Sequence, residues 1–112
     1  AGEMLVIAAD RLTPGSARRS VAVPFLGAPA HFPQGPFILA SLLRCPVFLV
    51  FCTQRGGRYH IDFERFAERI ERVRGAADSG LTPWIARFAE RVEQQCAQAP
   101  LQWFNFYPFW AA

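Results

Sequence analysis

Lysine is absent from this chain: all 12 of its basic residues are arginine. Arginine is suited to bidentate phosphate recognition, yet nothing in guanidinium chemistry keeps lysine off an ordinary surface. The absence is therefore read first as codon usage in a GC-rich genome and only second as a phosphate-binding device. Also absent is an apolar run of the roughly 18 residues that a membrane-crossing helix needs, because Arg44 and Pro46 interrupt the longest candidate. A signal peptide is not expected either, since Gly2, Glu3 and Asp10 bracket the early apolar run. The cysteines Cys45, Cys52 and Cys96 form an odd set without metal-ligand spacing, which predicts free, buried thiols and no metal centre. A block of one charge is missing as well. Glu64, Glu68 and Glu71 interleave with Arg65, Arg69, Arg72 and Arg74, which reads as a solvated face and excludes nucleic acid as a partner.

What is present is apolar mass. The chain has 112 residues, a net charge of +3, 52% hydrophobic residues and 11 phenylalanines. That length suits one domain with one modest core. The apolar share exceeds the usual value of about 45–50% counted with glycine, as expected of a half-domain with an exposed edge.

Hydrophobic patterning gives the elements. Met4 to Ala9 reads as a buried strand that presents Asp10 and Arg11 at its C-terminal end, followed by a turn at Thr13-Pro14-Gly15-Ser16. A second strand is expected from about Ser20 to Phe25, and a loop over 28–36, which holds three prolines and a glycine. Phe37 to Leu43 suits a short buried helix ended by Arg44 and Pro46. Val47 to Cys52, β-branched and aromatic throughout, reads as a strand of a parallel sheet covered on both faces. After the Gly56-Gly57 turn, Arg58 to Phe63 alternates as a half-buried hairpin partner. Thr82-Pro83 predicts an N-cap and first turn for a last helix with an apolar stripe of Ile85, Phe88, Ala89, Val92 and Cys96. The aromatic tail from Leu101 to Trp110 is either a strap over the core, the preferred reading, or a lipid contact.

Phe32-Pro33-Gln34-Gly35-Pro36 is the most informative stretch. A Gly-containing loop that feeds a helix start aims free backbone N–H groups outward, which suits a phosphate or carboxylate. The plain alternative is that Gly35 permits a turn conformation closed to other residues. Phe32 and Phe37 are read first as core residues. Asp10 lies at a strand end, the usual place for function in an open α/β sheet. The plain counterparts are a turn-capping Asp10, a hydrogen-bonded loop His31 and a solvent-facing His60. Arg18, Arg19, Arg55 and Arg58 offer a basic rim for anionic lipid as an alternative to ordinary surface charge.

Phe25-Leu26-Gly27, the Phe32 to Pro36 loop and the ending Ala99 to Trp110, in this order, resemble the C-terminal part of the bacterial lipid A biosynthesis (late, lysophospholipid-type) acyltransferases, from Gly2 to Trp110. Phe32, Pro33 and Gly35 match the Phe-Pro-Glu-Gly-x-Arg block of the wider glycerolipid acyltransferase superfamily, and Pro46-Val47 falls where its following block lies. Gln34 and Phe37 depart from that block, and Pro108 stands where an aspartate is usual. Phe-Pro-Gln-Gly-Pro-Phe looks closest to a branch associated with aryl polyene pigments.

The resemblance implies an α/β fold, a mostly parallel or mixed sheet flanked by helices, forming residues 1–112 as the C-terminal half of an acyltransferase domain. It implies transfer of an acyl group from an acyl carrier protein or coenzyme A thioester to a hydroxyl of a membrane lipid, at the cytoplasmic face of the inner membrane, with no metal or redox cofactor. Asp10, Arg11, Phe32, Gly35 and Phe37 are the substrate-binding residues it implies. Over 64–74 it implies strand and irregular chain, whereas Phe63, Phe66, Ala67, Ile70 and Val73 fall at helical spacing; the resemblance is preferred. The family's His-x4-Asp/Glu pair, in which a carboxylate orients the imidazole that deprotonates the acceptor hydroxyl, has no match here. Five residues beyond His31 is Pro36, and five beyond His60 is Arg65. The rival reading is a non-catalytic lipid- or carrier-binding module derived from the same fold.

Overall fold

A computed structural model describes residues 2–12, 20–73, 80–103 and 109–110. It is a small α/β domain of two antiparallel two-stranded sheets and two helices, in the order β1 (Ser20–Phe25), β2 (Ala28–Pro33), α1 (Gly35–Leu43), β3 (Val47–Arg55), β4 (Arg58–Ala67) and α2 (Thr82–Gln98). A single 3-10 turn, Pro100–Gln102, follows.

The mostly parallel or mixed sheet is thus corrected to two hairpins, and the connections give the reason. Parallel strands need a crossover of about a dozen residues or more. Here β1 meets β2 across Leu26-Gly27 (φ 52° and 89°), and β3 meets β4 across Gly56-Gly57 (φ 57° and 78°). Two left-handed residues in succession form the turn whose twist matches a two-residue hairpin. Leu26 takes that conformation despite its Cβ, and its amide donates to the Glu93 carboxylate of α2.

The predicted loop over 28–36 is corrected too, since Ala28–Pro33 is β2. Its prolines misled because their spacing, and not their number, decides. In a two-residue hairpin the pair flanking the turn, Phe25↔Ala28, exchanges hydrogen bonds and the next pair does not. Pro24↔Pro29 and Ser20↔Pro33 both fall on the non-bonded parity, so the prolines cost the ladder nothing and leave the outer edges poor at pairing.

Met4 to Ala9 is not a buried strand. It joins no ladder, and Met4 and Val6 are almost fully exposed, at 87% and 88%. β3 was expected to be covered on both faces and is covered on one. Val47, Leu49 and Phe51 lie against the core, while Phe48 and Val50 share the outer face with Tyr59, Ile61 and Phe63 of β4. The hairpin pairing expected for Arg58 to Phe63 is present, and the strand continues to Ala67.

Over 64–74 the extended reading holds through Ala67, and 68–73 is non-helical; Arg74 lies outside the described residues. The helical spacing arose from a bulge. The register slips between Val47 and Phe48, leaving Phe66 unpaired, so Phe66 and Ala67 are buried in succession.

α1 forms where expected and ends at Arg44, but it is not a buried helix: Phe37 alone is buried, and Leu42 and Leu43 are exposed. The stripe predicted for α2, Ile85, Phe88, Ala89, Val92 and Cys96, is the buried one. Leu81, fully buried, and not Thr82 is the N-cap, and its carbonyl accepts the Trp84 and Ile85 amides at 3.0 and 3.1 Å. Cys96 alone among the thiols is buried; Cys45 is half-buried and Cys52 exposed. The Thr13 to Ser16 turn, Arg18 and Arg19 lie outside the described residues.

The core centres on Phe25, fully buried, whose ring meets Phe32 (5.5 Å), Trp103 (5.5 Å), Phe109 (5.4 Å) and Trp110 (6.0 Å). The Trp110 indole N–H donates to the Phe25 carbonyl at 3.0 Å. For Trp103, Phe109 and Trp110 the core-strap reading of the tail therefore holds; Phe104 and Phe106 lie outside the described residues. Phe25→Ala is expected to cost about 3–5 kcal/mol. Because a domain of this size has only about 5–15 kcal/mol in all, a thermal melt should show early or non-cooperative unfolding.

Candidate functional site

The Pro33–Pro36 loop is held from both ends by one residue of α2. Phe32, at the end of β2, meets Phe88 edge-on at 6.2 Å, and Phe37, in the first turn of α1, meets the same ring at 5.6 Å. Both are buried in the core. Between them Gly35 is exposed as the first residue of α1. The helix start offers less to an anion than a free N-terminus, because Pro36 has no N–H and the Phe37 and Ile38 amides donate to the Gln34 carbonyl at 3.0 and 2.9 Å. Gly35 is left as the amide of that first turn.

Gly35 is not required by a turn. It is not among the positive-φ residues, and a Cβ placed on it meets nothing within 4 Å. His31, half-buried on β2 one residue before Phe32, has its Nδ1 3.1 Å from the Ser20 hydroxyl; it is hydrogen-bonded as in the plain reading, but on a strand and not in a loop. His60 is exposed on β4.

Asp10 and Arg11 lie elsewhere along α2. They form an ion pair at 3.1 Å, and Asp10 is close enough to Cys96 for its charge to act on the thiol. Burial, with the Asp10 and Glu93 carboxylates adding to it, pushes the Cys96 thiol up, so it is a protonated core residue and a poor nucleophile. Cys96 is eight residues beyond Phe88, about 12 Å along the axis. The fold thus brings Phe32 and Phe37 together on Phe88 with Gly35 between them, whereas the Asp10 charge acts on Cys96, about two turns further along α2.

Two charged features escaped the linear reading. Glu64 of β4 and Arg91 of α2 are paired, with Nε to Oε2 at 2.9 Å and a second bond between the same groups. That bond holds the Glu64 carboxyl below its ordinary range against the smaller opposing effect of burial. Segment 69–73, in turn, separates two clefts of about 370 and 330 Å³. The mixed-charge run reads as a solvated face, and nothing in the chain order points to Arg91 or to the clefts.

Two outcomes are expected. Gly35→Ala should leave the melting temperature unchanged or raised, by at most about 1 kcal/mol, because a helical position gains from a Cβ with room around it. A large loss on differential scanning calorimetry would restore Gly35 as a required turn residue. A carboxyl whose pKa falls on folding contributes stability above its unfolded pKa and loses it as pH falls through the folded value. Urea midpoints should therefore drop below about pH 4.5 in the parent and fall less steeply in Glu64→Gln, whose loss at neutral pH is about 0.2–1 kcal/mol.

The family model for the bacterial lipid A biosynthesis acyltransferase matches residues 1–111. No curated protein and no solved structure matches.

Proposed function

The chain belongs to the bacterial lipid A biosynthesis acyltransferase family, and from that membership we propose that it is the C-terminal part of an acyltransferase domain whose histidine–carboxylate pair lies in another segment. The reaction moves an acyl group from an acyl carrier protein or coenzyme A thioester to a hydroxyl of a membrane lipid. The acceptor is a lipid A precursor or an aryl polyene-type molecule, the latter favoured by Gln34 and Phe37 in the loop. The work takes place at the cytoplasmic face of the inner membrane; among the described residues no helix is long and apolar enough to cross a bilayer.

One observation carries the half-domain reading. The outer face of the β3–β4 hairpin holds Val50, Ile61 and Phe63 more than half exposed, and Met4 to Ile7, before β1, also runs apolar and uncovered. Monomeric domains rarely leave such surface wet, because burial of a large apolar side chain is worth roughly 1.5–3 kcal/mol. The catalytic segment is the cover proposed for both.

In the assembled enzyme the imidazole of that segment takes the proton of the acceptor hydroxyl as its oxygen attacks the thioester carbonyl, and the thiol leaves with a proton. Within this chain Gly35, exposed at the start of α1, meets an anionic group of donor or acceptor, and Phe32 and Phe37 hold that loop from behind. Asp10 and Arg11 give polar support further along α2.

Loss of a general base typically forfeits about 10²–10⁴ in rate. The chain alone is therefore expected to give no turnover with acyl carrier thioesters and a lipid acceptor, and the longest reading frame that contains it should give turnover. Activity of the chain alone that His31→Ala or His60→Ala abolishes would overturn the half-enzyme reading. An inert full-length protein that still binds acyl carrier protein would favour the non-catalytic module.

A further inference from the structure

The larger of the two clefts gathers arginines from distant parts of the chain. Arg44 comes from the end of α1, and Arg69 and Arg72 from the irregular segment after β4, around a space of about 370 Å³ that also meets Ser41 and Glu71. Elsewhere in the charge-rich run the ions are matched, Arg91 with Glu64 and Arg65 with Glu68. Arg44, Arg69 and Arg72 make no ion pair with any described residue. The lining thus includes three arginines and one acidic residue, Glu71.

The backbone beneath them is fixed. Ile70, between the arginines, is buried in the core. The Trp84 indole donates to the Glu71 carbonyl at 2.7 Å, and the Val73 amide donates to the Gly80 carbonyl at 2.9 Å. Gly80 (φ 77°) must be glycine there, since a Cβ would come within 2.7 Å of the Val73 carbonyl oxygen. Arg44 is fixed differently. It ends α1 in the left-handed conformation (φ 49°, ψ 47°), where glycine is the ordinary choice, with its amide on the Ala40 carbonyl at 3.2 Å. A residue that disfavours this backbone holds the position, at the lining of the cleft.

The smaller cleft has a different character. Its Arg87 lies over the Trp84 and Phe66 rings, each at 5.1 Å, and donates to the Phe66 carbonyl at 3.4 Å. That guanidinium is already engaged. The Ser41 hydroxyl donates to the Ile38 carbonyl at 2.7 Å, so the donors of the larger cleft are its arginines.

We propose that Arg44, Arg69 and Arg72 form a binding site for a phosphate monoester. Planar guanidinium groups bind phosphate oxygens in pairs of charge-assisted hydrogen bonds, and three of them around one cleft supply the charge a dianionic phosphate requires. The cleft, at about 370 Å³, has room for a phosphate with part of its ester group, whereas nucleic acid binding calls for a basic surface that the mixed charges around it do not provide. The site does not rest on the acyl-transfer reading: a chain that binds phosphate esters and never transfers an acyl group keeps the one and loses the other.

The test is titration calorimetry of the full chain at about 0.15 M salt, where weak surface attraction is screened. The probes are inorganic phosphate, coenzyme A, and phosphatidylcholine vesicles with or without phosphatidic acid. Saturable binding is expected to at least one phosphate-bearing probe; coenzyme A alone would identify a donor subsite and phosphatidic acid alone an acceptor subsite. Arg69→Gln and Arg72→Gln should each weaken it about tenfold or more. Arg44→Gly should weaken it equally while melting no lower than the parent, because glycine suits that backbone. Arg65→Gln, which removes a matched arginine, should leave it unchanged. No binding to any probe, unaltered binding in Arg44→Gly and Arg72→Gln, an equal loss in Arg65→Gln, or an oligonucleotide that competes as well as the small phosphates would overturn the site.

Discussion

Packing of the β1–β2 hairpin against the apolar stripe of α2 is the constraint on which the other features depend. Phe25 and Phe32 project from the inner face of that hairpin, and Ile85, Phe88 and Val92 supply the opposing surface. The tail closes over Phe25 from the far side, with the Trp110 indole on the Phe25 carbonyl. Through Phe88 the same packing anchors both flanks of the Phe32–Phe37 loop, and through Glu93 it holds the left-handed Leu26 turn. Loss of the hairpin–helix contact would therefore dissolve the loop and the tail together.

Charge is sorted by the fold. Along the chain Glu64 to Arg74 mixes both signs and reads as a solvated stretch. β4 sends Glu64 inward toward Arg91, and Arg65 closes on Glu68. What remains past the strand is Arg69, Arg72 and the lone carboxylate Glu71, and α1 delivers Arg44 to the same cleft. A positive concavity thus arises where linear patterning sees cancellation.

The two hairpins have unequal surroundings. β1–β2 is covered by α2 and the tail, whereas β3–β4 has its inner face against the core and its outer face open. On that open face Phe48 stacks on Phe63 at 5.0 Å with Arg65 over the Phe48 ring, which shields some apolar area and leaves Val50, Ile61 and Tyr59 wet. The contrast is the observation on which the proposed half-domain rests.

Much of the local structure was legible in the sequence because it rests on neighbours in the chain. The α1 and α2 segments, the strands at Ser20 to Phe25 and Arg58 to Phe63, and the Gly56-Gly57 turn follow from periodicity and left-handed turn residues. The family was legible from Phe32, Pro33, Gly35 and the aromatic ending. Tertiary structure alone decided the rest. Pairing direction depends on which strands meet, so Val47 to Cys52 was taken for a parallel strand although its β-branched run fits either. Prolines at 29 and 33 suggested a loop until the register put them on the non-bonded parity. Of the expected site residues, Phe32, Gly35 and Phe37 are neighbours because a short connection joins β2 to α1, whereas Asp10 acts on Cys96, beyond Phe88 along α2. The Glu64–Arg91 pair and the cleft of Arg44, Arg69 and Arg72 join positions tens of residues apart, and only burial of the residues between them brings such charges together.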